Sequence, residues 1–293
     1  EKLGAALLRQ LCVQVPVARE AQLVIGGNAV GSGGNLTRLM ALEAGFPVST
    51  PALTVDMQCA SALAALSLAW GQIASGQLDL VLAGGVESSS MQPRRVYQPW
   101  DARYTPEGYM TAQFSPDTDS PRTMLEGAER TAQVYGVSRE ELDRWAVRSH
   151  RKAAEAWEEG RLEPWVVSLF GSTRDESIRP RMNGRLARRM PTLFTREETE
   201  ILLTPEEAKL AGDGTPTLTA ANACLTQDGA AFPGAGLRRK TGGVAPGRKA
   251  GAPSGPDPPL HGGRGGSPVQ SPGSPGSGGK AAGRNRPAGG GHR

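Results

Sequence analysis

Between Asp56 and Asp79 the chain runs for 22 residues without a charge, and few architectures accept such a segment inside an otherwise ordinary sequence. Its heart, residues 59–76, carries Ala60, Ala62, Leu63, Ala64, Ala65, Leu66, Leu68, Ala69, Trp70, Ile73 and Ala74. These put apolar side chains on every side of a helical cylinder, which predicts a helix buried all round. Gln58, Ser61, Ser67, Gln72, Ser75 and Gln77 make the run too polar to cross a membrane. Strand-like segments flank it: ALTVDM at residues 52–57, and LDLVLA at residues 78–83, closed by Gly84-Gly85. The many alanines allow close approach, so the helix is expected to form an inner layer between two sheets.

The alternation starts earlier. Leu3, Ala6, Leu7 and Leu11 recur at helical spacing, and Leu23-Val24-Ile25 is a short apolar run ended by Gly26-Gly27. A second helix is expected over residues 36–44, stopping at Gly45 and Pro47. Strand, helix and strand in this order imply right-handed crossovers and a mainly parallel sheet, hence an α/β fold. Residues 87–121 lose the rhythm and read as a surface excursion. Ser138 and Glu141 then form a capping box ahead of a long helix to about Glu159, with Leu142, Trp145, Ala146, Ala153 and Trp157 expected on its inner face. Residues 174–189 read as a basic loop. TLTA at residues 217–220 reads as a strand returning to the sheet, followed by a turn at Gln227-Asp228-Gly229.

Composition breaks at Phe232. The last 62 residues hold 19 Gly and 10 Pro, nearly half the segment against roughly 12% in globular chains, so a disordered Gly/Pro/Arg-rich tail is expected over residues 232–293. The tail also holds ten Lys/Arg and one acid, leaving 23 basic and 28 acidic residues in the body. The body is therefore acidic and the high pI belongs to the tail, so charge gives no support to specific nucleic-acid binding by the folded part. Cys12, Cys59 and Cys224 lie far apart with no Cys-x-x-Cys pair, which argues against a disulfide scaffold or a cysteine-based metal site and fits a reducing compartment. No cleavable leader is visible in EKLGAALLRQL. A cytoplasmic protein is the expectation.

Cys59 stands where a strand ends and the uncharged helix begins, a position where backbone N–H groups and the helix dipole favour thiolate over thiol. Two readings stay open at this point: a nucleophile, or a small buried apolar side chain. Other signals are weaker. The glycines from Gly26 to Gly34 follow a strand but lack dinucleotide or Walker spacing. Met40, Met57 and Met91 read as core fillers, and His150 as a solvated or capping side chain on a helix.

Four blocks carry a resemblance. Val55-Asp56-Met57-Gln58-Cys59-Ala60-Ser61-Ala62-Leu63 is followed at a helix length by Leu82-Ala83-Gly84-Gly85-Val86-Glu87-Ser88-Ser89-Ser90-Met91, which holds a Gly-Gly-x-Glu-x-x-Ser run. Residues 124–129 and then Thr217-Leu218-Thr219-Ala220-Ala221-Asn222-Ala223-Cys224 with Asp228-Gly229-Ala230-Ala231 complete the set. In this order they resemble the thiolase family of acyl-CoA acetyltransferases. The resemblance implies a layered α/β fold, represented mainly by its N-terminal half: core at residues 1–87, a CoA-facing loop domain at 88–216, a return strand and turn at 217–231, and the tail beyond. It implies that Cys59 carries the acyl group and that Met124, Asn222, Ala223 and Cys224 face the CoA arm. Where the family commonly has serine, this chain has Cys224, a weaker hydrogen-bond partner. Acyl-CoA is then the substrate, with no further cofactor and no metal, in lipid metabolism, and the intact family implies a homo-oligomer.

The family's histidine in a Gly-His-Pro turn and its second cysteine in a Cys-x-Gly turn belong to a further α/β half. Neither motif occurs in residues 1–293: the histidines are His150, His261 and His292, and no cysteine follows Cys224. The resemblance stops at Ala231, where the Gly/Pro-rich sequence starts, as a reading-frame slip in a GC-rich gene would produce. The expectation is an acyltransferase of this class impaired in turnover. The alternative is a non-catalytic relic that binds acyl-CoA or a protein partner.

Overall fold

The computed structural model describes residues 1–111, 113, 116 and 120–233, together with the backbone of residues 237–238. The chain divides into two units, Glu1–Gly243 and Val244–Arg293, and all described residues lie in the first. The disorder expected of the tail therefore falls almost wholly outside the described residues. Phe232, at the head of that segment by composition, is buried in the main core.

The first part alternates as expected: α1 (Lys2–Gln14), β1 (Leu23–Gly27), α2 (Leu36–Glu43), β2 (Ala52–Val55), α3 (Ser61–Ala74) and β3 (Leu80–Ser88). After the excursion come α4 (Thr123–Val134), α5 (Arg139–Glu158) and the short helices α6 (Gly184–Arg188), α7 (Arg196–Ile201) and α8 (Pro205–Ala208). The strands β4 (Asp228–Ala231) and β5 (Leu237–Arg238) then return to the sheet. Its order is β2-β1-β3-β4, with β5 also on β3. β1 pairs parallel with β2 and β3, while β4 and β5 run antiparallel to β3.

Alternation along the strands sorts the core into two layers. Val24 and Leu82 point to the face covered by α1 and α2, where Ala5, Leu8, Leu11 and Met40 close the larger cluster. Ile25, Val81 and Ala83 point the other way, to Ala65 and Ala69 of α3.

Several expectations are corrected. The helix α3 is buried on one stripe only, Ser61, Ala65 and Ala69, the i, i+4 row that faces the sheet. Leu63 and Trp70, on the far side, are 66% and 65% exposed, because no second layer of described residues packs there. β3 does not stop at Gly84-Gly85 but continues to Ser88. Residues 217–220 do not form the return strand: the N–H groups of Thr217 and Leu218 donate to the Glu129 carboxylate instead of a strand partner. The returning strand begins at Asp228, in register with Ser88, where a turn was expected. Trp145 is exposed, lying beside the Arg148 guanidinium rather than in the core. Met40 is buried, but Met57 and Met91 are exposed. No helix among the described residues is long and apolar enough to cross a membrane.

Candidate active site

Cys59 lies in the turn that joins β2 to α3, and the turn is stitched by its own side chains. Asp56 Oδ1 accepts from the Gln58 N–H at 2.9 Å. The Ser61 hydroxyl accepts from Met57 N–H at 2.8 Å and donates to the Gln58 carbonyl at 2.6 Å. The Ala60 and Ser61 N–H groups close the turn onto the Met57 and Gln58 carbonyls. Gln58 takes a left-handed φ of 53°, a conformation that costs a non-glycine residue on the order of 1–3 kcal/mol and clusters at functional sites. The next residue, Cys59, is a free and exposed thiol. Of the two sequence readings, the buried apolar side chain is therefore set aside.

Two glycines seat this turn on the sheet. A Cβ on Gly27 would lie 2.6 Å from the Ala62 nitrogen and 2.6 Å from the Ser61 carbonyl carbon. A Cβ on Gly85 would come to 3.3 Å from Ala62 Cβ. The head of α3 thus packs directly on the strand ends.

Both glycines, the glutamate and two of the serines of the Gly-Gly-x-Glu-x-x-Ser run have physical tasks. Gly84 leaves room for Ala231 and Phe232, and Gly85 for α3. Glu87 accepts from Asn28 Nδ2 at 2.7 Å and from the Ala29 and Val30 N–H groups at 2.8 and 3.2 Å, fixing the loop after β1. Ser88 and Ser90 donate to the Asp228 carboxylate, which ties β4 to the end of β3. Those hydrogen bonds, Ser90's foremost, hold the Asp228 carboxyl below the usual carboxylate range.

The other expected residues lie on α4 and on the segment that precedes β4. Met124, on α4, is exposed, as is Cys224, and Ala223 is half-buried. The Asn222 carboxamide is already engaged within the protein: Nδ2 donates to Asp143 Oδ1 at 3.0 Å and to the Thr217 carbonyl at 3.2 Å, and Oδ1 accepts from Thr219 N–H at 2.8 Å. The residue that sequence reasoning left without a role here is Glu129, fully buried on α4 and hydrogen-bonded to Thr217 and Leu218. A glutamate five positions after Met124 on an amphipathic helix gives little sign of such burial. No hydrogen bond among the described residues joins Cys59 to Met124, Asn222, Ala223 or Cys224. An open cleft of about 1190 Å³ lies between Asn28, Glu87, Trp165, Phe170 and Asp228, and a smaller one of about 460 Å³ beside Gly33, Asp56 and Arg95. Cys59 lines neither. His150 is on α5, where its Nδ1 accepts from the Arg179 N–H at 3.2 Å.

The family model for the thiolase N-terminal domain matches residues 1–232. The chain belongs to the thiolase family. VraB of Staphylococcus aureus (strain MRSA252), provisionally assigned as an acetyl-CoA C-acetyltransferase, is 35% identical over 216 residues, covering 71% of this chain and 51% of VraB. YhfS of Bacillus subtilis (strain 168), with the same assignment, is 36% identical over 231 residues, covering 79% of this chain and 55% of YhfS. The chain thus spans about half the length of the thiolase relatives it matches.

Proposed function

We propose that this chain carries the acyl-accepting chemistry of an acetyl-CoA C-acetyltransferase, with Cys59 as the acyl carrier. The observation behind this reading is the exposed thiol beside a left-handed residue at the head of α3. The Cys59 thiolate attacks the carbonyl carbon of an acyl-CoA thioester. The new C–S bond forms as the carbonyl electrons move onto oxygen, and collapse expels the CoA thiolate, leaving a thioester on Cys59. Sulfur suits both roles, as nucleophile and as leaving group. Met124, Ala223 and Cys224 are proposed to lie along the CoA arm.

Condensation with a second acyl-CoA requires a base at its α-carbon. Residues 1–293 hold no Gly-His-Pro histidine and no cysteine after Cys224, and each missing acid or base typically removes a factor of about 10²–10⁴. Acylation without condensation is therefore the expected behaviour of this chain by itself. A cytoplasmic place in lipid metabolism and a homo-oligomeric state go with the reading.

The second reading is acyl-CoA binding without chemistry, favoured by the absence of Cys59 from the lining of both described clefts. Incubation with acetoacetyl-CoA followed by intact-mass measurement separates the two. An acetyl adduct that vanishes in Cys59→Ser supports the first reading. CoA binding without an adduct supports the second, and neither adduct nor binding refutes both.

A further inference from the structure

The Glu129 carboxylate is fully buried, yet none of the ion pairs among the described residues includes it. Neutral donors hold it instead. Oε1 accepts from Gln133 Nε2 at 2.9 Å and from Thr217 N–H at 3.0 Å. Oε2 accepts from Leu218 N–H at 2.8 Å, from the Thr217 hydroxyl at 3.2 Å and, at 3.2 Å, from the same Thr217 N–H. Burying a carboxylate without a cation is expensive unless its lone pairs are met in this way.

The chain of contacts continues. Gln133 Nε2 also donates to the Thr215 carbonyl at 2.8 Å. Asn222 joins the Thr217 and Thr219 backbone to Asp143. Asp143 accepts from Arg139 Nε at 2.9 Å, and Arg139 Nη2 donates to the carbonyls of Ala187 and Met190. One network therefore fastens residues 215–222 to α4 and α5. Glu129 stands on α4 five residues after the exposed Met124, and Asn222 directly precedes Ala223 and Cys224.

We infer that Glu129 and Asn222 are positioning residues for acyl-CoA: buried, with their donors and acceptors engaged in the protein, they hold the helix bearing Met124 and the segment bearing Ala223 and Cys224 in one fixed relation. This rests on the acyl-CoA reading above. Neither side chain touches the ligand. Both act through the backbone of residues 217–224, so their effect falls on affinity for CoA and not on the reactivity of Cys59, which stands on another turn.

The test uses the full 293-residue chain. Glu129→Gln keeps volume and shape, but whichever oxygen becomes the amide nitrogen then presents a donor to donors. Acetyl-CoA affinity is measured by titration calorimetry, and Cys59 alkylation by iodoacetamide without ligand. The expected result is a dissociation constant raised about tenfold or more, with the alkylation rate within about twofold of the parent. A folded Glu129→Gln protein that binds as the parent does overturns the inference while leaving the acyl-CoA reading intact. Equal losses of binding and alkylation also overturn it, since they mark a general structural role. A parent chain that binds no acetyl-CoA removes the acyl-CoA reading and this inference together. Should Glu129→Gln fail to fold, Asn222→Ala is read by the same criteria.

Discussion

The seat of α3 on the strand ends can be tested by a single methyl group. In Gly27→Ala the new Cβ lies 2.6 Å from both the Ala62 nitrogen and the Ser61 carbonyl carbon and 2.8 Å from Ser61 Cβ, whereas ordinary contact starts at 3.4 Å. Two of these neighbours are backbone atoms, so no rotamer change relieves the overlap, and the first turn of α3 must recede by roughly 0.8 Å in a densely packed interior. Such overpacking costs about 1–3 kcal/mol, or about 2–12 °C in melting temperature for a domain of this size. Gly71 supplies the control. It lies in the same helix, has no neighbour within 4 Å of a built Cβ and does not have a positive φ, so Gly71→Ala is expected to stabilise by about 0.5–1 kcal/mol. Urea denaturation measures both, and iodoacetamide alkylation reports whether Cys59, held by the Ser61-stitched turn, changes its reaction rate in Gly27→Ala alone. Gly27→Ala as stable as the parent, or Gly71→Ala less stable than it, would refute the packing argument.

Three further outcomes are expected. Native alkylation at neutral pH should modify Cys59 and Cys224 but spare Cys12, which is 3% exposed and whose thiol is pushed up by burial; modification of all three should require denaturant, as peptide mapping would record. Asp228, with its carboxyl held below the ordinary value of 3.8, contributes stability that is present above that value and is lost as pH falls through the lowered one. Ser90→Ala should therefore flatten the acid limb of a pH–stability curve, and an unchanged limb would count against the Ser90 to Asp228 link. Leu63→Gln with Trp70→Gln, at positions 66% and 65% exposed, should leave the melting temperature nearly unchanged while reducing self-association in light scattering, and a marked loss of stability would show that these side chains pack against the fold.

What the sequence reveals of this fold is what local pattern decides. Apolar runs ended by glycine pairs mark β1 and β3, helical spacing marks α1 and α2, and Ser138 with Glu141 starts α5 through the expected capping box. What it conceals depends on partners distant in the chain. The pattern of α3 states that all its faces are apolar, but not which of them finds a neighbour, and the sheet covers only the Ser61, Ala65, Ala69 stripe. Thr217 to Ala220 has the composition of a strand because an extended backbone suits it, yet a carboxylate 88 residues earlier takes the N–H of Thr217. Conversely, Asp-Gly-Ala-Ala has poor intrinsic strand preference, and it becomes β4 because Gly84 lets the Ala231 backbone approach while Ser88 and Ser90 grip Asp228. The same division runs through the candidate site. Cys59 is legible as the residue where a strand ends and an apolar helix begins, whereas the left-handed Gln58 and the Ser61 stitching that display it depend on the turn geometry, and the buried Glu129 depends on a segment that arrives 88 residues later. Sequence thus identifies the atom proposed to react, and tertiary contacts identify the groups that hold its surroundings, so that Cys59→Ser tests the chemistry while substitutions at Gly27 and Glu129 test the packing of α3 and the anchoring of residues 217–224.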